Sequence, residues 1–278
     1  MNKEATHTVA NLRRAILPLE EQHPYGRMPL GHDEADRCLC GGLLRGAQHE
    51  VFAETGHASA AIGFAALLSA RMAQKKTLFW IRQDFSSLEH GEISANGILE
   101  LGLDPKKLLL MRAADAKDAL RASADALSCA SLGAVILEVP KNPKLFDLTQ
   151  SRRLTLACAN KGVTAILLRL DAKIDTSAAE TRWRIAGAPS LSAESAPRFL
   201  AELVRNRHGA LGSWIMQWDA NHGCFADAAA DSRAVAQTAF YRQGAATATR
   251  FRPVFAKAST GFGTDFTRRS FSAGGRTG

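Results

Sequence analysis

The sequence predicts an α/β fold: a mainly parallel sheet covered by helices on both faces, finishing in an antiparallel hairpin. Three observations carry this reading. From residue 49 to residue 170, short continuous apolar runs alternate with segments of helical character, and strands apolar at every position mark a parallel sheet buried on both sides. After residue 171 the pattern changes to alternating strands joined by a glycine-containing turn. Finally, 278 residues at 46% hydrophobic and 22% charged are enough to bury a sizeable core without disulfide or metal staples.

Taken in order, HEVFAE (49–54) is the first buried strand and SAAIGFAALLSARM (59–72) a helix with the apolar density of one packed on a sheet. TLFWIR (77–82) is the second strand. The polar stretch QDFSSLEHGE leads to a short helix around ISANGILELG, which ends at a glycine. LLLMR (108–112) is a strand, DAKDALRASADALSCA a helix, and GAVILEV (133–139) a continuous apolar run broken by Pro140, as befits a central parallel strand. DLTQSRRLTLACANKG is a helix closed by Gly162, and VTAILLRL (163–170) the next buried strand. TRWRIAG alternates. FLAELVRN and SWIMQWD, joined by RHGALG, form a hairpin expected at the sheet's edge.

Composition and charge divide the chain into a lead-in (1–46), a core (47–226) and a basic tail (227–278). The tail holds eight basic residues against three acidic ones, most of the net +8. Rich in Ala, Ser, Thr and Gly with no sustained period, it reads as disordered or loosely docked. Its arginines, Arg250, Arg252, Arg268 and Arg269 among them, are interspersed with Phe251, Phe255, Phe266 and other aromatics. That mixture suits nucleic acid or a partner protein, while a merely solubilising tail is the other reading. No apolar run approaches the roughly 18 residues of a membrane span, and the opening MNKEATHTVANLRR lacks the apolar centre of a secretory signal; a cytoplasmic protein is expected. Cys38, Cys40, Cys129, Cys158 and Cys224 fit neither a zinc site nor a disulfide framework and read as reduced thiols, mostly core filler. No metal and no cofactor is expected. Ser59, Ser69 and the histidines show no nucleophile-base arrangement.

Nucleotide-binding α/β folds carry a glycine-rich turn between the first strand and its helix, where backbone N–H groups face a phosphate. AETGHASA occupies that place but has no lysine and no G-K-[ST] ending. His57 reads as a solvated loop residue.

The entry GGLLRGAQHEVFAE, the segment LGLDPKKLLLMRAADAKDALRASADALSC, the strand LGAVILEV, the helix LTQSRRLTLACANKGVTAILLR and above all the phrase AAETRWRIAGAPS resemble the inducible-mutagenesis protein A (ImuA) family, within the RecA-like and SulA-like superfamily. The resemblance runs from about Leu12 to Asp227 and implies a RecA-like core. Laid on the RecA pattern, the loop's two glycines fall at Ala53 and Ala58, its lysine at Ser59 and its magnesium-binding hydroxyl at Ala60. Glu138 then stands where such ATPases keep a metal-orienting acid, with Asp84 near the place of the catalytic one; a plain surface acid at a strand end is the other reading of Glu138. The resemblance also implies a docking helix in NLRRAILPLEEQ, with Leu12, Ile16 and Leu19 on one stripe and Arg13 and Arg14 beside it; a helix folded back on its own core stands equally. Arg205, Arg207 and His208 of the hairpin turn are candidate contacts to single-stranded DNA.

The function so implied is a non-catalytic accessory protein of SOS-induced translesion synthesis. Its partners would be the inactive Y-family polymerase homologue ImuB, indirectly a DnaE-type error-prone polymerase, and RecA. Two alternatives stay open: a SulA-like division inhibitor that binds FtsZ, and a RecA-like ATPase with an unorthodox loop.

Overall fold

The structure, a computed structural model, describes residues 24–189 and 196–228. A two-stranded antiparallel ribbon, β1 (Arg27–Met28) with β2 (Leu43–Leu44), encloses helix α1 (Asp33–Cys38). The main sheet begins with β3 (Gln48–Ala53), followed by α2 (Ala58–Ala73), β4 (Thr77–Gln83), α3 (Asp84–His90), α4 (Ala95–Glu100), β5 (Leu108–Ala113) and α5 (Ala116–Leu127). It continues through β6 (Leu132–Glu138), α6 (Leu148–Lys161), β7 (Thr164–Leu170), β8 (Thr181–Gly187), β9 (Arg198–Asn206), β10 (Gly212–Asp219) and β11 (Cys224–Asp227). Strand order across the nine-stranded sheet is β11-β10-β9-β8-β3-β7-β6-β4-β5. Pairing is parallel from β8 through β5 and antiparallel from β8 to β11.

Strands β3 and β7 are buried at every position, and β6 at every position after Leu132, as their unbroken apolar runs require. On one face α2 seats Phe64, Leu67, Leu68 and Met72 in the larger core; on the other, α5 and α6 seat Ala119, Leu127, Leu154 and Cys158 in the smaller one. Each such large side chain contributes about 1.5–3 kcal/mol of burial. Phe64 lies at the centre of an aromatic cluster, its ring centroid 5.9 Å from Trp183, 5.6 Å from Phe199 and 5.0 Å from Phe225. Leu30, Leu39 and Leu43 belong to this core too, so the segment from residue 24 to 46 packs as part of the body.

Local signals fix the element ends. Asp115 and Asp147 cap α5 and α6, each accepting a backbone N–H at 2.8 Å from the residue three positions on. Gly162 ends α6 in the left-handed conformation, φ 72. At Gly133 a Cβ would run into the backbone of Ala73, so glycine lets β6 pass close under the end of α2.

Three expectations are corrected. The hairpin of β9 and β10 is not the sheet's edge: β11 adds outside it, with Asp219 opposite Cys224 and Met216 opposite Asp227. The polar stretch after β4 contains a helix, α3. Of the cysteines only Cys158 is fully buried; Cys40 and Cys129 are exposed and Cys38 and Cys224 half-buried, so core packing involves Cys158 and, in part, Cys38 rather than most of the five. Among the described residues no helix is long and apolar enough to cross a membrane.

Candidate functional site at the carboxyl edge of the sheet

The carboxyl ends of β3, β4, β6 and β7 open onto one edge of the sheet, where ligands of open α/β folds bind. Four residues, Glu54 to His57, join β3 to α2. Gly56 makes the turn at φ 91 with open space about it. His57 sits at the N-cap of α2 without a side-chain hydrogen bond. Thr55 Oγ1 donates to Asp171 Oδ1 at 2.8 Å, tying the loop to the end of β7. Ala53 is the buried last residue of β3, and Ala58, Ser59 and Ala60 form the first turn of α2.

Glu54 is the loop's charged residue, with Arg184 Nε 3.9 Å away; the same arginine holds Glu202 at 2.7 Å. Ser59, in the first turn of α2, opens onto a pocket walled by Ile62, Ile93, Ile98, Leu101 and Phe199.

Glu138 corrects one of its two sequence readings. It is fully buried at the end of β6, so it is no surface acid. One of its oxygens is engaged: Arg82 Nε stands 2.7 Å from Oε1, and Trp80 Nε1 donates to the same oxygen at 2.9 Å. Burial pushes its pKa up while Arg82 and Trp80 pull it back. Arg82 is itself 1% exposed and donates through Nη1 to Gly91 O at 2.9 Å. Asp84 is exposed at the start of α3.

A second buried charge cluster lies in the sheet. Arg182 Nε is 2.7 Å from Glu50 Oε2, and Arg169 Nη1 is 3.9 Å from Glu50 Oε1. Arg169 is stacked over Phe146 (4.9 Å) and Phe52 (5.5 Å), and burial depresses its pKa.

Three side chains at the carboxyl edge are suited to hold a cation. Glu89 and His90 end α3, Asp171 follows β7, and their ligand atoms lie within 4.8 Å of one another. Spacing along the chain gives no hint of this grouping, because Asp171 arrives from a strand far from α3 in sequence.

The hairpin turn lies elsewhere. Because Thr181 pairs with Asn206 and His49, the turn that follows β9 is at the amino edge, opposite the loop 54–57. There Arg207 is exposed and Arg205 half-buried; burial and the like charges of Arg182 and Arg207 hold the Arg205 guanidinium below the ordinary arginine value. His208 is drawn to Glu180 at 3.0 Å, and Asn206 Nδ2 donates to Cys38 O at 2.8 Å, anchoring the turn on α1. The structure thus gathers Arg205 and Arg207 but separates them from the loop. Leu12, Arg13, Ile16 and Leu19, and Arg250, Arg252, Arg268 and Arg269, lie outside the described residues.

No family model matches the chain. Two curated relatives, each named Protein ImuA and from two strains of Caulobacter vibrioides, are 33% identical over 220 residues, covering 70% of this chain and 85% of theirs. Among solved structures, the RadB recombinase matches with a TM-score of 0.51 at 15% identity, covering 73% of this chain and all of that one. That likeness shows a RecA-like fold, in agreement with the strand order.

Proposed function

Since this chain belongs to the ImuA family, we propose that it is an accessory protein of DNA-damage-induced mutagenesis that acts by binding other macromolecules and does not hydrolyse ATP. Family membership is the observation that carries the reading. The geometry of the carboxyl edge supports its non-catalytic part. A triphosphate needs converging N–H groups, a cationic side chain and a magnesium ligand. The loop from Ala53 to Ala60 brings Glu54 and His57 instead, and one oxygen of Glu138 is held by Arg82.

In this proposal the partners are an ImuB-type Y-family polymerase homologue and, through it, a DnaE-type polymerase, with RecA as a further contact. Single-stranded DNA is met at the amino edge through Arg205 and Arg207. The test is a pull-down with the purified full-length chain and a version ending at Asp227, against the ImuB-type protein and against RecA filaments. Capture of either by the full-length chain is expected, and loss of capture on truncation would assign the docking to the tail. Capture of neither partner by either version overturns the reading. Mg-ATP supplies the second arm: a site filled at about 100 times its Kd would stabilise the fold by about 2.7 kcal/mol, and no thermal shift is expected.

A further inference from the structure

We infer that Glu89, His90 and Asp171 form a binding site for a first-row divalent transition-metal ion, with one imidazole nitrogen and two carboxylate oxygens as ligands. The site goes beyond the proposed function and does not depend on it. It also departs from the sequence expectation of no metal.

His90 carries the argument. Its side chain is only 10% exposed, and Nε2 is buried without a hydrogen-bond partner. The carboxylate of Glu89 stands 3.9 Å from that nitrogen, too far for a hydrogen bond. A buried imidazole nitrogen left unpaired between two acids is short of one group, and a cation accepts all three lone pairs at once. Metal–ligand bonds of about 2.0–2.2 Å place two ligands of one ion at most about 4.4 Å apart. The present limit of 4.8 Å is therefore within a small side-chain rotation of that span.

The surroundings favour the same conclusion. Asp171 is already oriented, because Thr55 Oγ1 donates to its Oδ1 at 2.8 Å; outer partners of this kind fix the direction of a ligating carboxylate. Lys141 Nζ, 3.4 Å from Glu89 Oε1, is the cation that a metal would displace from Glu89. Imidazole among the ligands selects Zn²⁺ or Co²⁺ over Mg²⁺, Ca²⁺ and Mn²⁺, which prefer oxygen. Three protein ligands leave at least one coordination position open, as in sites that bind a further group rather than only brace a fold.

The experiment is calorimetric titration of the full-length, chelator-treated protein with Zn²⁺, Mn²⁺ and Mg²⁺, repeated on His90→Ala, Asp171→Asn and His222→Ala. Asn tolerates the left-handed backbone at position 171, φ 51, so that variant keeps the fold and the Thr55 contact. His222 pairs with Asp219 on the surface and serves as the control. One Zn²⁺ per chain is expected, bound more tightly than Mn²⁺ or Mg²⁺, weakened at least about ten-fold by His90→Ala and by Asp171→Asn and unchanged by His222→Ala. Co²⁺ should show no thiolate charge-transfer band, which separates this site from the exposed Cys40 and Cys129. The inference is overturned by absence of binding, by Zn²⁺ affinity that ignores both site variants, or by Mg²⁺ binding as tightly as Zn²⁺.

Discussion

Lowering the pH should destabilise this protein through His49 before its exposed acids matter. His49 is fully buried on β3 between two fixed partners: Nε2 is 2.9 Å from Leu44 O, and Nδ1 is 2.8 Å from Thr181 Oγ1. Leu44 O can only accept, so Nε2 carries the proton. Thr181 Oγ1 already accepts from Trp183 Nε1 at 3.0 Å, so its own hydrogen points at Nδ1. A second proton on the ring would set donor against donor in a fully buried site. Burial accordingly lowers the His49 pKa from 6.5 to about 4. A histidine whose folded pKa is depressed contributes stability that is intact above 6.5 and lost as pH falls toward 4. At about 1.36 kcal/mol per pH unit the full loss is about 3.4 kcal/mol, of which about 2 kcal/mol is gone by pH 5. Urea midpoints at pH 7.5 and 5.0, for the native protein and for His49→Gln, measure it. The variant keeps a donor for Leu44 O and loses the titration, so its stability should fall by about 2 kcal/mol less between the two pH values. Equal losses in both proteins would refute the assignment.

Three further outcomes are expected. Phe64→Ala, which empties the centre of the aromatic cluster, should cost about 3–5 kcal/mol in chemical denaturation. Glu138→Gln strips the charge partner from the buried Arg82 guanidinium and should cost about 3–5 kcal/mol; adding Arg82→Met should recover part of that, and a purely additive double mutant would contradict the pairing. Replacing Arg205 and Arg207 together with Ala should weaken single-stranded DNA binding and flatten its salt dependence by about one unit of slope per arginine; filter binding at several salt concentrations reads this directly.

Much of the architecture was legible because the physics that fixes it is local. Strands such as GAVILEV and VTAILLRL are buried on both faces, so every position had to be apolar, and Gly162 marked a helix end through its own backbone freedom. What escaped reading depends on distant partners. The strand Cys224–Asp227 is four residues long and owes its existence to β10 alongside it. Helix α3, seven residues of mostly polar sequence, shows no period to detect. Glu138 looked like a strand-end acid because nothing near it in sequence announces Arg82, two strands' worth of chain earlier. The Glu89, His90 and Asp171 grouping was invisible for the same reason.

The placement of the hairpin turn and the loop 54–57 on opposite edges has a mechanical consequence. Between them runs β8, seven residues long, or about 23 Å at about 3.3 Å per residue. A group bound at one end is therefore separated from the other end by the length of this largely buried strand. Under the proposed function, single-stranded DNA at Arg205 and Arg207 would lie at one end of that length, and an ion held by Glu89, His90 and Asp171 would lie at the other.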